Sequence, residues 1–127
     1  MAIHWTLGCD ATDPHRLAAF WAEALGYVPE PGYDDPDSAS IVDPAGRGPL
    51  ISWLQVTEGK TAKSRVHIDI RVAGDGPWDI LERERLIRAK VPKLVALGAT
   101  VVREEVYGNR LAHVVMRDPE GNEFCVA

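Results

Sequence analysis

The chain has 127 residues and a mass of 13.9 kDa, the commonest single-domain size, at which folding buries roughly two thirds of the unfolded surface. A hydrophobic content of 46% with 26% charged residues is too apolar for a disordered chain. The net charge of -5 leaves no broad cationic face for nucleic acid, and no stretch nears the ~20 apolar residues of a membrane span.

The first residues, MAIHWTLGCD, lack a basic start followed by an apolar run. A cytoplasmic protein with neither a nucleic-acid nor a membrane partner is expected. Cys9 and Cys125 are too few for a disulfide framework and read as small buried hydrophobes.

In chain order, alternation predicts a first strand over 3–9, with His4 and Thr6 on one side and Ile3, Trp5, Leu7 and Cys9 on the core side. A helix follows in DPHRLAAFWAEALG. Asp13 can cap it, Pro14 suits its first turn and Gly26 can close it. Leu17, Phe20, Trp21, Ala24 and Leu25 fall at i, i+3, i+4, i+7, i+8, one stripe to lie against a sheet.

Short strands are predicted over 27–31, 39–42 and 50–56, with an exposed loop over 32–38 and a DPAG turn at 43–46. In the last of these, Ile51, Trp53 and Gln55 share a face. Trp53 there is either an aromatic wall for a ligand or a filler of core or a dimer seam.

A strand over 66–72 puts His67, Asp69 and Arg71 opposite Ile68, Ile70 and Val72. The apolar side belongs under a helix, so the polar triplet faces a cleft. His67 can act there as a general base or sit hydrogen-bonded in place.

The second helix is expected in WDILERERLIRAKVPKLVALG. Asp79 is its N-cap, Glu82 completes a capping box and Gly98 stops it. Ile80, Ile87, Val91, Leu94 and Val95 share one side. Pro92 predicts a kink, or a fresh helix starting near Val91. The run ERERLIRAK is a solvated face with Glu-Arg pairs.

Strands over 99–104, 111–117 and 122–126 complete the chain, the last two joined by a DPEG turn at 118–121. His113, Val115 and Arg117 share a face, and His113 either reaches the cleft or sits at a solvent-facing edge. Glu123 alternates with Cys125, so both can point inward, or Glu123 caps the turn.

The halves repeat one another. Ile3-His4 answers Val66-His67, Ala24-Leu25-Gly26 answers Ala96-Leu97-Gly98, and DPAG answers DPEG, all in the same order. An internal duplication follows, giving one α+β domain of two βαβββ modules, about residues 1–60 and 64–127, enclosing a cleft.

These residues resemble the glyoxalase-like domains of the vicinal oxygen chelate superfamily, which includes glyoxalase I, bleomycin-resistance proteins and extradiol dioxygenases. The resemblance rests on CDATDPHRLAAFWAEALGY, QVTEGKTAKSRVHIDI, LGATVV and VVMRDPEGNEFCVA. It implies the paired βαβββ fold with a U-shaped cleft, a small organic ligand and a homodimer. It also implies a divalent metal such as Zn, Ni or Fe, held by residues from the first and last strands of each module.

Carried over, the metal positions are His67 and Cys125 in the second module and Thr6 or His4 with Gln55 in the first. Cys125 stands where the resemblance leads one to expect a glutamate. The carboxylate ligands are missing, so a ligand-binding, resistance or sequestering protein without the usual metal site is the leading expectation. Its pocket would be lined by Trp53, Gln55, His67, Asp69 and His113. The alternative is a metal-dependent lyase, isomerase or dioxygenase. The chain contains no nucleotide-binding glycine pattern, no CxxC, no HExxH and no GxSxG.

Overall fold

The computed structural model describes Met1–Ala127, which divides into two compact units, Met1–Gly59 and Lys60–Ala127. Each contains one helix and one four-stranded mixed sheet. No helix is long and apolar enough to cross a membrane.

The first unit runs β1 (Leu7–Ala11), α1 (Pro14–Leu25), β2 (Val28–Pro29), β3 (Ser38–Val42) and β4 (Ile51–Gln55). Its sheet order is β1-β4-β3-β2. β1 lies parallel to β4, and the other pairs are antiparallel. Helix α1 begins and ends where its capping residues dictate. The Asp13 carboxylate accepts the Arg16 N–H at 3.2 Å, and Gly26 takes the left-handed conformation at φ 72°. Leu17, Phe20, Trp21 and Ala24 are buried, as the stripe requires.

Two expectations fail in this unit. The first strand begins at Leu7 rather than residue 3, leaving His4 and Thr6 exposed ahead of it and Trp5 63% exposed instead of in the core. Pairing stops there because the partner strand begins only at Ile51, and the last bond is Leu7 N–H to the Leu50 carbonyl. Strand propensity without a neighbour to pair with does not make a strand.

Trp53 is 2% exposed and therefore core, not a ligand wall. It lies opposite Ala39 on β3 and Cys9 on β1. Ala39, Ile41, Ile51 and Trp53 form one buried face, and α1 packs on the same two strands.

The second unit repeats the order with β5 (Asp69–Ile70), α2 (Ile80–Ala96), β6 (Thr100–Tyr107), β7 (Arg110–Arg117) and β8 (Glu123–Val126). Its sheet order, β5-β8-β7-β6, reproduces that of the first unit, again with the first and last strands parallel. β6 runs three residues past its expected end. Gly108 and Asn109 both have positive φ, 56° and 66°, and such a two-residue turn matches the right-handed twist of the strands it joins.

Helix α2 is continuous through Pro92, so no fresh helix starts near Val91. Proline removes only the bond to the Arg88 carbonyl, and Pro92 and Arg88 are both exposed, where water can serve that oxygen. Ile87 and Leu94, both at 0% exposure, hold the two halves down. The buried stripe is narrower than expected, with Ile80 and Val95 exposed. Asp79 caps the Glu82 N–H at 3.0 Å, but the Glu82 carboxylate turns to Arg85 instead of closing a capping box.

Candidate functional site

The DPxG turns are built alike in both units. Asp43 accepts the N–H groups of Ala45, Arg47 and Gly48, which hold its carboxyl below the usual carboxylate range. Asp118 accepts those of Glu120 and Asn122 and the Asn122 side-chain amide, all at 3.0 Å, and is 5% exposed. The second turn fixes the direction in which β8 leaves β7, and with it the side chains that β8 presents.

β7 is interior to its sheet, between β6 and β8. Its Val114 and Met116 are buried on the side where α2 packs. His113, Val115 and Arg117 therefore point to the opposite face. On that face Val115 stands opposite Arg103 of β6 and Cys125 of β8, Cys125 opposite Asp69 of β5, and Arg117 opposite Glu123. Over this face lies a pocket of about 720 Å³. His67, His113, Cys125 and Arg117 line it, with Val102 and Val115 as apolar wall and residues 60–63 along one side.

Glu123 organises that side. One carboxylate oxygen accepts from Lys60 Nζ at 3.0 Å and the other accepts the Ser64 N–H at 2.8 Å. Hydrogen bonds from the Ser64 side chain and backbone, with Lys60 beside them, outweigh burial and hold the Glu123 carboxyl far below the usual glutamate range. Arg117 approaches it more loosely, at 3.9 Å. Cys125 is displaced the other way. Burial, then the neighbouring Asp69 carboxylate, push its thiol up, so it stays protonated at neutral pH.

Of the residues expected to bind ligand, the pocket brings together His67 and His113, with Cys125 from the proposed metal set. The solvent-edge alternative for His113 does not hold, because β7 has a strand on either side. Asp69 sits beside Cys125 without lining the pocket. Gln55, an exposed first-unit residue, donates through Nε2 to the Thr12 carbonyl at 3.4 Å. Sequence reasoning missed Lys60, Lys63 and Arg103 as pocket residues, and it named Arg117 only as a face-mate of His113. The Lys60–Lys63 spacing just before His67 was the available signal.

The donors present do not suit a divalent cation within either unit. His4 and Thr6 lie outside β1, and both Glu123 oxygens are already engaged. No three His, Cys, Asp or Glu side chains converge as a metal site would need.

A family model described as a glyoxalase-like domain matches residues 6–127. Among solved structures, a glyoxalase/bleomycin resistance protein/dioxygenase family enzyme from Burkholderia phytofirmans is 16% identical, with a TM-score of 0.68 over 95% of this chain and 94% of that one. A mutant of the fosfomycin resistance protein FosX from Listeria monocytogenes, complexed with Mn(II) and 1S,2S-dihydroxypropylphosphonic acid, is 12% identical, with a TM-score of 0.69 over 99% and 90%. A glyoxalase-related enzyme from Fulvimarina pelagi is 18% identical, with a TM-score of 0.63 over 100% and 86%. These likenesses establish the fold. No curated protein is similar enough to count as a match.

Proposed function

Because the chain belongs to the glyoxalase-like domain family, we propose that it binds a small organic molecule in the pocket of its second unit, as a resistance or sequestering protein, without a resident divalent metal. One observation carries the reading. Two histidines with no hydrogen-bond partner, His67 and His113, face one pocket beside an arginine and an apolar wall. A concave, partly apolar site with a few convergent polar groups is what a small ligand requires. That a fosfomycin resistance protein of this fold was solved with Mn(II) and a small phosphonic acid supports the small-molecule part of this reading and not its metal-free part. Fold alone does not fix chemistry.

A thermal-shift screen of small organic compounds tests the reading. A compound that binds the native state raises the melting temperature in proportion to its concentration over Kd, and that shift should vanish in His67→Ala and His113→Ala. Survival of the shift in both variants would move the binding site elsewhere. Metal analysis of the purified protein tests the second clause. Stoichiometric Zn, Ni, Fe or Mn that is lost in His67→Ala would overturn the metal-free clause and favour the alternative of a metal-dependent lyase, isomerase or dioxygenase.

A further inference from the structure

We propose that the ligand of the second-unit pocket is an organic anion, its carboxylate, phosphonate or phosphate group met by Lys63 and Arg117 and its organic part by Val102 and Val115. The proposal deepens the reading of this pocket as the ligand site and rests on it.

The chain as a whole carries a net charge of -5, yet the pocket reverses that sign. Lys60, Lys63, Arg103 and Arg117 line it against only two carboxylates, Glu120 and Glu123. Much of this charge is already committed. Lys60 is spent on Glu123 at 3.0 Å, and Arg103 on Glu105. Lys63 has no ion-pair or hydrogen-bond partner. Arg117 touches only Glu123, at 3.9 Å, with its side chain half exposed.

Of the two lining carboxylates, Glu123 has its oxygens engaged by the Ser64 amide and Lys60, which leaves Arg117 only the loose approach at 3.9 Å. An arginine held only loosely, at 3.9 Å, and an unpaired lysine beside two imidazoles that make no hydrogen bond form a donor-rich surface. Guanidinium suits a planar or tetrahedral oxyanion bidentately, lysine adds a point charge, and each imidazole can donate a further N–H. A cationic ligand would meet repulsion from the same groups, and a neutral one would leave their charge unused.

The test is two-dimensional amide NMR of the full chain, titrated with phenylphosphonate, benzoate and the neutral benzamide up to about 20 mM, weak binding being expected near millimolar Kd. The anions should perturb the amides of Lys63, His67, His113 and Arg117. Binding should weaken severalfold between about 20 mM and about 200 mM salt as screening sets in, and roughly tenfold in Lys63→Met or Arg117→Met. Both side chains are exposed, so both variants should keep the native spectrum.

Preference for phenylphosphonate or for benzoate assigns the oxyanion. Benzamide perturbing the same amides equally would leave the pocket standing and overturn the anion. Unchanged anion affinity in both methionine variants would also overturn it, and silence of these amides toward all three probes would overturn the pocket as well.

Discussion

Glu123 and Ser64, 59 positions apart, are joined by a hydrogen bond in which the Ser64 N–H donates to the Glu123 carboxylate at 2.8 Å. With Lys60 on the other oxygen, a single carboxylate of β8 ties down the segment that forms one side of the pocket. Glu123→Gln should keep the fold while losing about 1–2 kcal/mol. Hydrogen exchange at the Ser64 amide should accelerate by roughly tenfold. Unchanged exchange would mean that the segment is held by something other than Glu123.

The same carboxylate makes this tether acid-sensitive. Its folded pKa lies below its unfolded value, so its stabilising contribution is complete above the ordinary glutamate range near pH 4.3. It is lost progressively as the pH falls below that. Wild type should therefore show a steeper loss of stability below about pH 4.5 than Glu123→Gln, measured by urea unfolding at successive pH values.

Asp118→Ala should cost about 1–3 kcal/mol, because it strands part-buried N–H groups in a turn where Asp118 is 5% exposed. The measurement is the urea midpoint. The equivalent change at Asp43, in a more exposed turn, should cost less. Equal losses would show that burial does not distinguish the two turns.

Trp53→Ala should destabilise by about 3–5 kcal/mol through the cavity it leaves in the first-unit core. His67→Ala, at an exposed position, should stay within about 0.5 kcal/mol while abolishing ligand-induced stabilisation. The opposite pattern in calorimetry would exchange their roles.

The Cys125 thiol, raised by burial and by Asp69, should react with iodoacetamide at pH 8 more slowly than a free thiol. Asp69→Asn removes the carboxylate next to it and should speed the reaction, followed by intact mass. A faster-than-free thiol would mark Cys125 as activated.

Much of the site was already legible in strand alternation. His113, Val115 and Arg117 share a face because residues two apart in a strand must, and the burial of Val114 and Met116 then says which face is open. Alternation could not say what lies across from each residue. Glu123 could face inward or cap a turn until Ser64 and Lys60 were found beside it. Trp53 could be wall or core until Ala39 and Cys9 were found to be its neighbours and α1 to pack on its sheet.

What the sequence by itself determined is therefore local and periodic. The caps at Asp13 and Asp79, the left-handed Gly26, the two DPxG turns and the repeated βαβββ order all depend on residues within a few positions of one another. What only the tertiary structure decided is where strands begin and which charges meet. β1 starts at Leu7 because β4 starts at Ile51, and the pocket's unpaired cation is Lys63, with Arg117 held only loosely, because Lys60 has been taken by a carboxylate 63 positions away. Pairing and charge compensation act through space at ångström range, so neither can be read from separation along the chain.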